Sequence, residues 1–156
     1  MASPNNFKQT LLNAGVNWTS DTVKVALGSD STAYTFDQAN HSYVGDVFDG
    51  GTTASEFSGS GYSRQTLANK SVTQDNTDNE GVADADDVTF SGVDGDTIQF
   101  IMVYKQVGTD DTSPGDDPII AIYDDDSAGS LADLPLSTNG GDVTIEWDTE
   151  GIINIT

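Results

Sequence analysis

Apolar and polar residues alternate along much of the chain, and a period of two is typical of β-strands that are buried on one face. The alternation is clear at residues 22–27, where Val23, Val25 and Leu27 share one face, and again at residues 143–147. It therefore predicts a mainly β protein. Shorter strands are predicted at residues 62–67, 70–74, 87–90 and 151–155.

Two further segments have apolar residues on both faces of a strand, which predicts that both strands are buried and that the first lies at the centre of a sheet. They are residues 97–105 and 118–123. We expect them to form the core, with Trp147 packed against them. Two polar, turn-rich stretches predict long loops, residues 28–51 with a short helix or strand at its apolar residues and residues 108–117.

The N-terminal segment, residues 1–15, follows a helical period instead. Phe7 and Leu11 lie four residues apart, on one face of a helix. Ser3 has the side chain of a residue that caps a helix N-terminus, and Gly15 is the residue type that ends one. The segment therefore predicts one short amphipathic helix, with Trp18 holding it against a sheet.

Together these elements predict a single domain over residues 1–156, as the chain length also does. Seven or eight short strands with one N-terminal helix favour a β-sandwich or a jelly-roll-like barrel.

Charge narrows the range of functions. The chain has 26 Asp and Glu against 5 Lys and Arg, a net charge of −21. Nucleic acids and anionic membrane surfaces repel such a protein, and no apolar segment is long enough to span a membrane. Molar salt would shorten the screening length to about 3 Å and relieve the repulsion within the chain. The composition therefore favours a halophilic source, with an acidic mesophilic protein as the alternative.

The residues needed for most catalytic sites are scarce. The chain has no cysteine and one histidine, which excludes disulfides, thiol catalysis and cysteine-ligated zinc. His41 lies in a polar stretch, and the sequence lacks the nucleophile motif of serine hydrolases. We therefore predict a protein without enzymatic activity. The N-terminus lacks the pattern of a secretion signal, which predicts synthesis in a cytoplasm.

An acidic stretch partly matches the calcium-binding loop of EF-hand proteins. The first ligand position should be Asp and the last Glu, and both differ here. A solvated loop is the alternative, and residues 124–126, three consecutive Asp, are a second candidate. We predict no cofactor beyond weakly bound Ca²⁺, Mg²⁺, Na⁺ or K⁺. The candidate ligands are Asn76, Asp78, Glu80, Asp84 and Asp87.

The cations of the chain are concentrated in its least acidic segments. Residues 3–26 and 58–74 contain four of the five, while the Asp-rich stretches are expected to face solvent. Like charges across an interface are costly, so these segments are the predicted surface for self-association and docking. The candidate interface residues are Lys8, Lys24, Arg64 and Lys70. The alternative is that these segments form the core.

Several segments, in this order, resemble a family of small virion structural proteins of tailed bacterial and archaeal viruses. They read NFKQTLLN (6–13), DTVKVAL (21–27), EFSGSGY (56–62), DADDVTF (84–90), VYK (103–105), PIIAIYD (118–124) and WDTEGIINI (147–155). The acidic composition points to haloarchaeal viruses within that family. Members are described as head decoration, tail or fibre proteins.

The resemblance implies a β-rich particle component of a halophilic tailed virus. We expect a capsid decoration or turret protein that binds the major capsid protein, or another virion protein, as a homo-oligomer. It would be located in the virion and made in the host cytoplasm. One alternative is a tail, baseplate or fibre component that contacts the host receptor. An alternative of another class is a non-viral module that binds cations or, through Trp18 and Trp147, carbohydrate.

Overall fold

The computed structural model describes residues 3–30, 34–50, 52–124 and 133–156. This part of the chain is mainly β and has two short helices, α1 (Asn5–Leu12) and α2 (Val44–Phe48). The strands are β1 (Val23–Asp30), β2 (Ala54–Glu56), β3 (Gly59–Ser60), β4 (Gln65–Thr66), β5 (Ser71–Asp75), β6 (Glu80–Asp84), β7 (Val88–Gly95), β8 (Thr97–Ile98), β9 (Phe100–Lys105), β10 (Ile119–Asp124), β11 (Leu136–Ser137), β12 (Gly141–Ile145) and β13 (Ile153–Ile155).

The largest sheet is antiparallel and has β9 near its middle. Its strand order is β10-β9-β1-β2, and β4 also pairs with β1. In this register Val25 lies opposite Val103, and Met102 lies opposite Ile122. Residues 100–104 of β9 are buried without exception. The prediction of a central buried strand is therefore confirmed for residues 100–105, whereas residues 97–98 form β8 outside this sheet. Strand β10 is buried as predicted and lies at the edge of the main sheet.

Apolar side chains pack against both faces of this sheet, because successive residues of a strand point to opposite sides. On one face, Val25 and Val103 pack in a cluster with Phe90 of β7 and Ile145 of β12. On the other face, a second cluster combines residues of β9 and β10 with α2. Its members include Phe100, Met102, Tyr104, Ile119, Val44 and Val47.

The remaining strands form three small antiparallel sheets, ordered β12-β7-β3, β13-β6-β5 and β11-β8. The described strands do not close into a barrel, so the jelly-roll-like barrel among the two predicted architectures is not the observed one. Strands of two or three residues, such as β3 and β13, are too short to continue one ladder of hydrogen bonds around a closed wall. The described residues also contain more strands than the predicted seven or eight.

The predicted N-terminal helix is present, but its ends differ from the prediction. Pro4 takes the N-cap position and the helix has no side-chain cap, so Ser3 does not have the capping role. At the other end Ala14, not Gly15, adopts a left-handed conformation, with φ of 54°. Phe7 is buried as predicted, and so is Trp18, whose Nε1 donates to the carbonyl of Asp84 at 2.9 Å.

One prediction for a polar stretch needs correction. Residues 80–84 form strand β6, paired with β5 and β13, where the sequence indicated an acidic loop over residues 75–87. The described residues of the stretch 28–51 include the end of β1 and the short helix α2, as a long loop with a short helix allows, and residues 108–117 form a loop as predicted. Trp147 lies beyond the end of β12 and is half-buried, with its ring centre 6.0 Å from that of Tyr123 on β10.

Candidate interaction surfaces and charged clusters

Arg64 is enclosed by the protein although it carries a full charge. It lies between β3 and β4, and its side chain is 11% exposed. Its guanidinium binds both oxygens of Glu56 at the end of β2, with Nε 2.7 Å from Oε1 and Nη2 2.8 Å from Oε2. Tyr62 donates its hydroxyl to the same Oε1 at 2.7 Å. Because a planar guanidinium matches a carboxylate at two points, this pair has a fixed geometry.

The hydroxyl of Tyr104 connects Arg64 to the loop that follows β9. Nη1 of Arg64 donates to this hydroxyl at 3.2 Å, and the hydroxyl donates to Oδ1 of Asp111 at 2.7 Å. The guanidinium carbon lies 5.3 Å from the ring centre of Tyr104 and 5.9 Å from that of Phe48, within the range of cation–π attraction. Burial, followed by the contact with Asp111, raises the pKa of Tyr104, so the hydroxyl stays protonated.

Asp111 is the second carboxylate of this arrangement. Its Oδ2 pairs with Nζ of Lys24 on β1. Burial acts to raise the pKa of Asp111, but hydrogen bonds from Lys24 and Tyr104 outweigh it and hold that pKa below its ordinary value. The loop is thereby attached to the central sheet. We call the following residues the internal ion network: Lys24, Glu56, Tyr62, Arg64, Tyr104 and Asp111.

Asp117 holds the base of the same loop. Its side chain is buried, and Oδ1 accepts the backbone N–H of Val107 at 2.7 Å. Its backbone carbonyl accepts the N–H of Val44 at 3.0 Å, which connects the loop to α2. Oδ2 has no hydrogen-bond partner among the described residues, and burial raises the pKa of this carboxyl. The loop therefore does not present all its carboxylates to solvent, as the sequence predicted for the Asp-rich stretches.

The four predicted interface cations do not lie in equivalent places. Lys24 and Arg64 belong to the internal ion network, with side chains 13% and 11% exposed, so their charges are compensated inside the protein. Lys8 is exposed on α1, and Lys70 is half-buried just before β5. The structure therefore does not bring the four together on one surface. The fifth cation, Lys105, pairs with Asp21 at 2.9 Å.

The predicted calcium ligands do not surround a common centre. Asp78 lies in the turn between β5 and β6, while Glu80 and Asp84 are at opposite ends of β6. An extended strand separates its end residues, so these side chains cannot converge as in a calcium-binding loop. Oε1 of Glu80 accepts the side-chain amide of Asn154 at 3.0 Å. The two outer candidates, Asn76 and Asp87, lie in the hairpin turn and just before β7.

The hairpin turn forms a different acidic cluster, which the sequence analysis missed. Carboxylate oxygens of Asp75, Asp78 and Glu150 lie within 4.8 Å of one another. Glu150 comes from a turn 70 or more residues along the chain, so sequence spacing contains no indication of this proximity. The second candidate cation site, residues 124–126, lies only partly within the described residues. Asp124 is buried at the end of β10, while Asp125 and Asp126 lie outside the described residues.

His41 holds its own loop together. Its Nδ1 lies 2.9 Å from the hydroxyl of Tyr34 and accepts the backbone N–H of Asp37 at 3.1 Å. The rings of His41 and Tyr34 are stacked with centres 5.8 Å apart. Tyr34 in turn lies against Phe100, with ring centres 4.8 Å apart. These contacts connect a polar loop to the apolar cluster that contains α2.

An apolar face lies between α1 and the small sheet β13-β6-β5. It has two adjoining cavities, one of about 330 Å³ beside β5 and β6 and one of about 760 Å³ beside the C-terminal strand. Among the described residues, no Asp or Glu side chain lines either cavity. We use the name apolar face for this surface. Its exposed or half-buried apolar residues are Leu11, Leu12, Val16, Val72 and Ile155.

None of the described helices is long and apolar enough to cross a membrane. No protein-family model matches the chain, and no curated protein matches it. An assignment of function therefore depends on the charges and surfaces described above and on the resemblance of the sequence segments.

Stability is expected to fall steeply when salt is lowered from molar concentration to about 0.1 M, where the screening length is about 10 Å. Lys24, Arg64 and Lys105 are already paired inside the protein, so the remaining carboxylates are balanced by two cations, Lys8 and Lys70. Their mutual repulsion is weak when salt screens it. Thermal melting across a salt series measures this dependence, with a non-electrolyte of equal osmolality as control. An unchanged melting temperature would contradict halophilic adaptation.

Proposed function

We propose that the protein is a virion structural protein of a halophilic tailed virus. In its most specific form, the proposal is a capsid decoration or turret protein that binds the outer capsid surface as a homo-oligomer. A tail, baseplate or fibre component is the alternative within the same class. The supporting observations concern the location of the resembling segments and the distribution of charge.

The observation that carries the proposal is the correspondence between the resembling segments and the structural framework. The segment at 6–13 covers most of α1, and the segment at 21–27 leads into β1. The segments at 103–105 and 118–124 lie on β9 and β10, the buried centre of the main sheet. Residues 56–62, 84–90 and 147–155 lead into or overlap β3, β7 and β13. Because the resembling segments coincide with helices and strands of the framework, they support a similar architecture. A structural component of a particle depends on its architecture and not on catalytic residues.

The distribution of charge is consistent with a particle exposed to brine. Three cations are paired inside the protein, and exposed carboxylates such as Asp94, Asp110 and Asp142 remain on the surface. In concentrated salt these carboxylates keep a protein hydrated without strong repulsion between neighbouring copies. An outward-facing acidic surface therefore suits a protein displayed on a shell.

We propose a β-sandwich as the finer description of the fold. The cluster on one face of the main sheet contains residues of β1, β9, β7 and β12. Val25 and Val103 from the main sheet and Phe90 and Ile145 from the smaller one therefore share one core. Two sheets that share a core between their inner faces are the defining feature of a sandwich.

Analysis of purified virions tests this function. In the virus that encodes the chain, we expect the protein in many copies per particle, at a fixed ratio to the major capsid protein. The recombinant protein should also rebind to particles stripped of it, in molar salt. A few copies per particle would favour the tail alternative. Absence from virions would refute the proposal and favour a non-viral module.

A further inference from the structure

We propose that the apolar face is the surface through which two copies of this chain associate. The proposal rests on the homo-oligomeric state that is part of the proposed function, and it specifies the contact. The apolar face contains three of the five exposed large apolar side chains in the described part of the chain. These are Leu12, Val72 and Ile155, which are 90%, 59% and 53% exposed.

If two copies associate, charge favours the apolar face over the acidic surfaces as their contact. Two chains of net charge −21 repel each other, and facing carboxylates at an interface would add a cost at short range. Both cavities of the apolar face are lined without an Asp or Glu side chain among the described residues, and Lys8 lies at the edge of the larger one. Two copies that meet here therefore bury apolar surface without an Asp or Glu side chain among the described residues that line the two cavities.

Shape also favours self-association. Leu12, in the last turn of α1, lines the larger cavity together with Leu11 and Ile155, and its side chain is 90% exposed. A two-fold axis through this surface would place the exposed leucine of each copy against the cavity of the other. Burial of an aliphatic side chain such as leucine then gives each copy the same apolar contact.

Strand β13 adds polar contacts to the same surface. It pairs with β6 along one edge and is the terminal strand of its sheet as described. Two of its residues, Asn154 and Ile155, line the larger cavity. An open strand edge has backbone groups ready to pair with another chain. The apolar face thus combines apolar side chains with backbone hydrogen-bonding groups.

Light scattering on the purified full-length chain in molar NaCl tests this proposal. The wild-type protein should be an oligomer, and Leu12→Glu should shift its mass to that of a monomer. Leu12 is 90% exposed, so its replacement leaves the folded core intact, which a thermal melt would verify. Ser91→Glu is the matched control, since it adds the same charge to an exposed position on β7 outside both cavities and should not change the mass.

Other outcomes would separate this inference from the proposed function. An oligomer that Leu12→Glu leaves intact would overturn the apolar face as the contact. Monomeric wild-type protein that still binds stripped particles would overturn self-association but not the virion role. If Leu12→Glu also abolished that binding, the apolar face would contact the capsid instead. Leu12→Ser, which adds no charge, should weaken the oligomer in the same direction as Leu12→Glu, and an unaltered oligomer mass would contradict an apolar contact.

Discussion

Replacing Phe100 with alanine is expected to lower the free energy of unfolding by about 3–5 kcal/mol, the usual cost of removing a large aromatic side chain from a core. Phe100 is completely buried on β9. Its ring packs directly over the backbone of Gly28 on β1, where a Cβ atom would lie 2.0 Å from the ring. The rings of Tyr34 and Phe48 lie on it as well, at 4.8 and 6.1 Å between centres. Three other segments therefore lose contacts when the ring is removed.

Denaturant unfolding in molar salt measures this loss. Phe36→Ala is the matched control, because Phe36 is half-buried at the border of the same cluster and should cost clearly less. If Phe100→Ala cost less than about 1 kcal/mol, the ring would not be part of the core and the central position of β9 would be wrong. A result within the expected range would show that the second apolar cluster, on the face of α2, contributes to the stability of the whole domain.

The elements that sequence predicted well are those with a strong apolar signature. Residues 100–104 and 119–122 are apolar without a break, so little besides a buried strand suits them, and they form β9 and β10. Strand β6 was missed because it reads Glu80-Gly-Val-Ala-Asp84, with one large apolar residue and two acidic ends. It is a strand because β5 and β13 pair with it on both sides, and β13 is about 70 residues distant along the chain. Such pairing is a property of the tertiary fold.

The positions of the charged side chains also depend on the tertiary fold and could not be predicted from local sequence. Lys24 alternates with Val23 and Val25, which predicts a solvent-facing side chain on β1. In the structure the loop at 108–117 lies across that position, and Asp111 pairs with the lysine. The composition shows that the chain has few cations. It does not show that three of them form ion pairs within the protein and are not available on the surface. A loop's path over a sheet is not encoded in local periodicity, so the surface positions of the cations could not be predicted.

Part of the apolar face could be predicted from the sequence. Residues 3–26 contain two lysines and Asp21 as their one acidic residue, which predicts an interface in that segment. The helical period also predicts that Phe7 and Leu11 share one face of α1. What the sequence could not supply was the position of Val72 and Ile155, which β5 and β13 bring to the same surface. The sequence predicted a contact made by four cations. The fold instead favours a contact made by an apolar surface with one exposed lysine.

Replacing Arg64 with methionine is expected to lower the free energy of unfolding by about 2–4 kcal/mol. Breaking a fully buried ion pair costs about 3–5 kcal/mol, and Glu56 retains 30% exposure, which reduces the cost. Methionine fills much of the same volume, so the main loss is electrostatic. The carboxylate of Glu56 loses both donors of the guanidinium, and the hydroxyl of Tyr104 loses its contact with Nη1. Denaturant unfolding in molar salt measures the change, which should persist there because buried charges are poorly screened.

A double-mutant cycle with Glu56→Gln separates the charge from the packing. Once Glu56 is neutral, replacing Arg64 with methionine no longer leaves a charge without a partner. Arg64→Met should therefore cost much less free energy of unfolding in the Glu56→Gln background than in the wild-type protein. Lys105→Met is the matched control, because the lysine is 21% exposed against 11% for Arg64 and contacts one carboxylate oxygen of Asp21, so it should contribute about 1 kcal/mol or less. Equal losses for Arg64→Met and Lys105→Met, or strict additivity in the cycle, would mean that the internal ion network does not stabilise the fold through its charges. The expected non-additivity would instead identify Arg64 as a residue that holds the sheet and its following loop together from within, and not as a contact for a partner.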